Sequence, residues 1–466
     1  MGQMVETKLH RNKKKIKDLK QPEPTDQESA FLYHELFFSI TDQKSFIEYG
    51  NEIFRRISKY SESDLAGQLH KVIRHPDMPR SIFNIFWTFL KNNRPVAAYV
   101  KNLAKDGSYY WVMTLALPWA NSYQSIRLKP GSEVFETAKK LYAETLQYEK
   151  KMEQQMDKQS AMEAAEVFAL DALNKLGFES YEAFMVYALQ AEMCHREDVL
   201  KSEHRTLDVY DTSITPNSLL PIANNLTKVC HSLHNLSTIE QALDKHAEYI
   251  LNLAQSILLL SLNAQIGSTK LDKSDISLSV VAEKMGEQSQ KGELQLQIMR
   301  ENIKELNTLA SKLNFDIIVA KLQVEMILMF YKEIDDGISS EAFMYREEHA
   351  IVQLIDALKP RIKQILEEIG ALPECLSEIV YGVQNIEKFL MVLRFIHTTG
   401  KVEISRMKSN FESFGTTFDE LIREVESTEV HLKQLSDVVY NNKDIAILYT
   451  NISERLTQLN EHLIHA

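Results

Sequence analysis

The change of texture at Pro130-Gly131 constrains this chain more than any other feature. Beyond it, apolar residues recur at helical spacing nearly to Ala466, broken at Gly177, Thr215-Pro216, Leu220-Pro221, Gly337, Lys359-Pro360, Leu372-Pro373 and Thr398–Gly400. That period places one apolar stripe along a helix, so everything after the junction is predicted to be helical. Before the junction the pattern is mixed. Stretches at Phe37–Thr41, Ala97–Leu103, Tyr109–Leu117 and Tyr123–Leu128 are rich in aromatic and β-branched residues and read as strands. Asp106-Gly107 suits the positive φ of a tight hairpin, so the strands on either side of it are predicted to pair antiparallel. Helices are predicted at Asn51–Lys59 and Arg80–Lys91. The second is entered through Pro79, whose missing N–H costs nothing in a first turn. The fold class expected is an α+β domain with a concave, five-stranded antiparallel sheet and small helices, followed by a long all-α coiled-coil or bundle region.

Composition narrows the function classes. The chain has 466 residues, 44% of them apolar and 25% charged, which is ordinary for a soluble globular protein of several domains. A net charge of -12 argues against nucleic acid as a partner, because phosphate binding needs a clustered positive field. Residues 1–30 are the exception, since Lys8, Arg11, Lys13, Lys14, Lys15, Lys17 and Lys20 make a basic tail, expected to be flexible. No apolar core follows it, so a secretory signal is not expected, and Glu6 stands where a myristoylation signal wants Ser or Thr. No stretch reaches the roughly 18 to 20 apolar residues that span a bilayer. A cytoplasmic protein with no transmembrane segment is expected. Cys194, Cys230 and Cys375 are odd in number and far apart, which fits a reducing compartment, and Cys194-His195 and Cys230-His231 lack the recurring spacing of a zinc site.

The chemistry concentrates in Arg74-His-Pro-Asp-Met-Pro79, where a cation, an imidazole and a carboxylate sit between two prolines. Together with Tyr49-Gly50-Asn51, Asp64-Leu65-x-Gly67, Trp87, Val100-Lys101-Asn102, Asp106-Gly107, Tyr109-Tyr-Trp-Val112 and Ser125-Ile-Arg127-x-Lys129-Pro130, it resembles the PAS domain of bacterial aerotaxis receptors. The likeness covers roughly residues 31–145, with the PAS sensor domain placed at 31–131. It departs from the family at Pro95-Val96 and at Leu103-Ala104, where an aromatic and basic residues are missing. The resemblance implies a noncovalent FAD that reports redox state or oxygen, with Asn51, Arg74, His75, Asp77 and Trp87 at positions associated with flavin binding or signalling.

The residue chemistry agrees. Arginine offers a planar fork of donors, tryptophan a flat face, and His75 beside Asp77 a titratable pair. Simpler readings stand beside this one. Trp87 and Phe83 are four residues apart and share an apolar helix face, and Arg74 with Asp77 could form a local ion pair. Haem is the alternative cofactor, with His70 and His75 as conceivable axial ligands. A ligand-free PAS scaffold is the third reading.

A second resemblance lies downstream. The segment LNAQIGSTKLDKSDISLSVVAEKM, from Leu262 to Met285, is similar to the hairpin tip of methyl-accepting chemotaxis receptors at Leu262, Asn263, Ala264, Ile266, Val280, Val281 and Glu283. The turn between is rewritten, with Gly267, Lys270 and Asp272-Lys273-Ser274-Asp275 at the positions that in the family touch the kinase, its coupling adaptor or neighbouring receptors. The division expected is a helical connector at 132–215, a receptor-like hairpin at 216–310 and a further bundle at 311–466. The partners implied are a second copy of the chain, as a homodimer, and a chemotaxis histidine kinase with its coupling adaptor. No Gly-rich dinucleotide loop, nucleophile arrangement or metal-spaced cluster is evident, so a signal transducer of the aerotaxis type is expected rather than an enzyme. A flavoenzyme is the less favoured alternative.

Overall fold

The computed structural model describes residues 19–205, 212–216, 219–228, 276–337, 341–406 and 412–441, with Tyr249, Asn252, Ser256, Leu259 and Leu262. Two compact units emerge. One comprises residues up to Thr227 together with Phe315–Ile362, and the other comprises Lys228–Asn314 with Lys363–Glu461.

The first unit is built on a five-stranded antiparallel sheet of β1 (Phe37–Asp42), β2 (Ile47–Gly50), β3 (Val96–Leu103), β4 (Tyr109–Trp119) and β5 (Ser122–Leu128), in the order β2-β1-β5-β4-β3. The four strands read from the sequence are present, each within two residues of the expected ends. The fifth, β2, completes the five-stranded sheet expected, although its position was not legible, because four residues ending in Gly50 give too short an alternation. Gly107 turns the β3–β4 hairpin at φ +87°, the conformation for which Asp-Gly is suited.

Short helices α1 (Glu52–Ser58) and α2 (Glu62–Leu65), a 3-10 turn at His70–Ile73 and the longer α3 (Arg80–Lys91) lie between β2 and β3. Ile82, Ile85, Phe86 and Leu90 give α3 one buried face. After the sheet come α4 (Glu133–Met152), α5 (Lys158–Lys175) and α6 (Tyr181–Ser202). Gly177, at φ +92°, stops the chain just after α5, as its position predicts.

Two long helices follow, α7 (Ile276–Asp335) and α8 (Glu341–Arg406), and then α9 (Glu412–Asn441). The breaks expected at Pro360, Pro373 and Thr398–Gly400 do not occur, because α8 runs through all three for 66 residues. A proline deletes one N–H of the ladder. The apolar stripe Leu358, Ile362, Ile365, Ile369, Leu372 and Ile379 stays buried on both sides of both prolines, so packing outweighs that local loss.

Within the first unit, residues 315–330 of α7 are buried on every side, Lys321, Gln323 and Glu325 included. Phe330 meets the rings of Phe38 at 5.4 Å and Tyr49 at 6.2 Å, on the sheet face opposite the short helices. Arg196 of α6 pairs with Glu325 at 2.8 Å, and Lys321 bonds to Glu197. In the second unit, Ile379, Val383, Ile386, Leu390 and Leu393 alternate steps of four and three along α8, the seam of antiparallel helix packing. Gly292 of α7 lies against Phe389, and Gly382 of α8 lies against Met299.

Of the expected hairpin tip, Leu262 is helical and exposed, and Val280, Val281 and Glu283 lie on the first turns of α7. Asn263, Ala264 and Ile266 fall outside the described residues. Among the described residues, no helix is long and apolar enough to cross a membrane.

Candidate functional site

Strand alternation sorts the sheet into two faces. Directly opposed residues share a face, so the register places Phe37, Arg127, Thr114 and Ala98 in one row, and Ser39, Ser125 and Ala116 in the next. Phe37 packs against Phe54 of α1, which identifies this as the face covered by the short helices. It carries small side chains at Ala98, Ala116, Ser39 and Ser125, and one large charged one.

Arg127 is 3% exposed. Its guanidinium donates to Ser39 Oγ at 3.0 Å, contacts His70 Nε2 at 2.8 Å and lies 5.5 Å from the centre of the Phe54 ring. Burial pulls its pKa down to about 10. Burial, and then the Arg127 charge, push His70 down to about 3, so His70 is neutral and its Nε2 accepts from Arg127. On the same face, Tyr110 Oη, Thr114 Oγ1, Ser125 Oγ and Asn102 Nδ2 are buried without a hydrogen-bond partner. Such atoms are costly unless something else completes them.

The Arg74–Pro79 loop runs from the 3-10 turn to α3 and is pinned to β3 by an Arg74–Asn102 bridge and by His75 N–H donating to Lys101 O at 3.3 Å. Arg74 donates to Met78 O at 2.8 Å and stacks over Phe83 at 4.4 Å. It therefore closes its own loop and does not pair with Asp77. His75 is buried, and its Nδ1 accepts from the Asp77 backbone N–H at 3.1 Å. Burial, and then Lys101, hold its pKa below the ordinary value against the pull of Asp77. Burial alone would raise the Asp77 carboxyl, but its 2.6 Å bond to Lys101 and that residue's charge hold it low. Trp87 is half-buried, edge-on to Tyr123 at 5.7 Å and Phe86 at 5.9 Å. Asn51 is fully buried and holds backbone: Oδ1 accepts from Phe38 and Phe54 N–H, and Nδ2 donates to Leu36 O.

The loop thus brings Arg74, His75 and Asp77 together, while Asn51, the N-cap of α1, and Trp87 on α3 sit apart from them. A cleft of about 620 Å³, lined by Gln68, Arg74, His75, Met78, Leu146 and Glu149, separates the loop from α4. Across it, Glu149 accepts from Arg80 Nε at 2.8 Å and from the Ser81 N–H at 3.1 Å.

The chain leaves the sheet through a second buried carboxylate. Glu192 of α6 accepts from Gly131 N–H at 2.7 Å, from Ser132 Oγ at 2.6 Å and from Tyr99 Oη at 2.8 Å. A Cβ on Gly131 would meet the Tyr33 hydroxyl and the His195 ring, so a larger residue here would have to displace those side chains.

Sequence reading missed the roles of Arg127, Glu149 and Glu192. For Arg127 the signal was there, since Ser125-Ile126-Arg127 alternates a cation onto the face of a strand that is otherwise buried. For Glu149 and Glu192, exposed-looking positions on helices, no local signal exists.

Comparison with known proteins bears on the first unit. Residues 47–128 match the PAS fold family. The aerotaxis receptor of Escherichia coli (strain K12) is 35% identical over 126 residues, covering 26% of this chain and 25% of that receptor. The chain therefore matches about a quarter of that relative's length. Solved structures that resemble it include the LOV domain of the blue-light activated histidine kinase from Erythrobacter litoralis EL346, at 18% identity and a TM-score of 0.20, covering 21% of this chain and 96% of that one. The light-state LOV domain of the blue-light photoreceptor Aureochrome1 also matches at 18% identity and a TM-score of 0.20, covering 22% of this chain and 86% of that one. The sheet domain has the PAS fold and is similar to a part of that aerotaxis receptor, and a long helical region follows it.

Proposed function

We propose that this protein is a signal transducer whose PAS domain binds FAD and relays its redox state to the helical region. The observation that carries the reading is the inner sheet face, where a buried guanidinium stands among unpartnered hydroxyls and small side chains. That set fits a flat ligand with several acceptor atoms on its edge. Arg127 supplies donors and charge, Ser125, Thr114 and Tyr110 supply hydroxyls, and Ala98 and Ala116 are small side chains on the same face. When bound, FAD would supply reversible electron uptake. The haem alternative is disfavoured, because His70 Nε2 already accepts from Arg127 and His75 Nδ1 already accepts from Asp77.

The protein's own part is mechanical and electrostatic. Arg127 touches His70 in the 3-10 turn, the turn leads into the Arg74–Pro79 loop, and the loop ends on the first turn of α3, which Glu149 of α4 holds. A charge change at Arg127 therefore has a contiguous route to the helix that leaves the sensor. The partners proposed for the helical region are a second copy of the chain and a chemotaxis histidine kinase with its coupling adaptor, in the cytoplasm. The likeness to the aerotaxis receptor's PAS domain supports this assignment.

The test is the absorption spectrum of the full chain incubated with FAD and freed of excess, before and after dithionite. A flavin doublet at near-stoichiometric amount that bleaches on reduction supports the reading. A featureless spectrum after FAD incubation, or a Soret band in protein isolated from cells, overturns it.

A further inference from the structure

The interior of the PAS domain holds a cation that no carboxylate among the described residues neutralises. Other buried cations in the same unit face carboxylates: Arg196 meets Glu325, and Lys321 meets Glu197 and Glu325. Arg127 has contacts only with a hydroxyl, a neutral imidazole and an aromatic ring among the described residues. An ionised group taken from water without a counter-charge is strongly disfavoured. Arginine does not escape by losing its proton near neutral pH. Thr114, directly opposite Arg127 in the β4–β5 register, and Ser125 two residues before it add unpartnered hydroxyls at the same place. What is missing from this arrangement is negative charge.

We propose that Arg127 is the charge reader of the PAS domain: it recognises a ligand ring that becomes negative on reduction, and it thereby sets how readily that ring is reduced. The proposal rests on the flavin reading above and specifies which residue governs the redox equilibrium. An oxidised isoalloxazine is neutral. Two electrons and one proton, delivered by an external donor, leave it with one net negative charge, and a fixed cation in a poorly solvated site favours that form over the neutral one. Arg127 also ties this charge to movement. With the ring oxidised, its guanidinium keeps its bond to His70; a new anion competes for the same donors and loosens the hold on the 3-10 turn. His70 is therefore a positioning residue that orients the guanidinium through Nε2.

Three full-length proteins test this: wild type, Arg127→Gln and Arg127→Lys, each reconstituted with FAD and titrated against redox dyes. In Arg127→Gln the preference for the reduced over the oxidised ring is expected to fall roughly ten-fold or more, the range for one lost charge-assisted bond, so the midpoint potential moves down. Arg127→Lys keeps the charge but loses the fork, and falls between the two. A readout independent of loading is the melting temperature of the apo chains. Removing an uncompensated buried cation leaves apo Arg127→Gln as stable as wild type or more stable, while the gain in melting temperature on adding FAD shrinks.

A purely structural role predicts the reverse, an apo protein that melts lower and a flavin potential that does not move. Bound FAD with wild-type potential in Arg127→Gln overturns the proposal and leaves the flavin reading standing. Wild-type protein that takes up no FAD overturns both. Should Arg127→Gln fail to fold, Arg127→Lys and His70→Gln decide the matter, and unchanged potentials in both count against it.

Discussion

Glu149 of α4 and Arg80 of α3 are joined by a 2.8 Å bond from Nε to the buried carboxylate, and the same carboxylate caps the first turn of α3 through Ser81 N–H. Pro79, just before that turn, offers no side-chain cap, so the orphan donors of the helix are satisfied from a helix 68 or more residues away in sequence. The residues that end the Arg74–Pro79 loop are in this way wired to the helix that leaves the sensor domain.

Replacing that carboxylate should be felt in both places. Glu149→Gln keeps the shape but weakens a charged bond to a partly buried guanidinium, and is expected to lower stability by about 2 kcal/mol. Chemical denaturation checks the magnitude. Hydrogen exchange should show faster opening at 80–84 with the sheet unaffected.

Phe330 carries the packing of α7 against the sheet. It is fully buried and contacts Phe38 and Tyr49, so Phe330→Ala is expected to cost about 3–5 kcal/mol. The same denaturation experiment measures it. Exchange at Phe38 and Tyr49 should rise, while the opposite sheet face around Arg127 should change little.

Glu333 of α7 gives a pH dependence with a definite sign. Burial, and then the neighbouring Glu347 and Glu52, raise its pKa from 4.5 to about 8, against the pull of Arg55. Between those values the unfolded chain releases a proton that the folded chain keeps. Stability is therefore fully present below about pH 4.5 and declines as pH rises through 8, by an amount on the order of a few kcal/mol from this group. Glu333→Gln should flatten that decline, as read from denaturation midpoints at pH 5, 6.5 and 8.

Burial holds the His75 pKa down, and Lys101 and Asp77 then act on it in opposite directions. Lys101→Met should raise the His75 pKa toward 6.5, and Asp77→Asn should lower it further, because the first removes a repelling cation and the second an attracting anion. Imidazole resonances followed by NMR titration check both directions.

The sequence carried much of this and missed the rest for identifiable reasons. Strand alternation, Asp106-Gly107 and Pro79 located the sheet, the hairpin and α3, because each is a local signal that tertiary contacts reinforce. Pro360 and Pro373 misled, since each is a local penalty where the buried stripe from Leu358 to Ile379 holds the helix together. In the candidate site the Arg74–Pro79 loop was legible from its composition, yet Arg74 bonds within the loop and Asp77 pairs with Lys101. Asn51 spends its whole side chain on backbone. The residues that tie the domain together, Glu149 and Glu192, sit on helices far along the chain, and nothing near them in sequence distinguishes them from solvated acids. Their role exists only in the folded contacts.

The most direct measurement is hydrogen–deuterium exchange of the FAD-loaded full chain, oxidised and then reduced anaerobically with dithionite. The expected result is a change confined to connected segments: the 3-10 turn at His70–Ile73, the Arg74–Pro79 loop, the first turn of α3, and α4 around Glu149. Identical exchange in the two redox states, with the flavin shown by its spectrum to be bound and reduced, would contradict a sensor that passes its redox state to the helices.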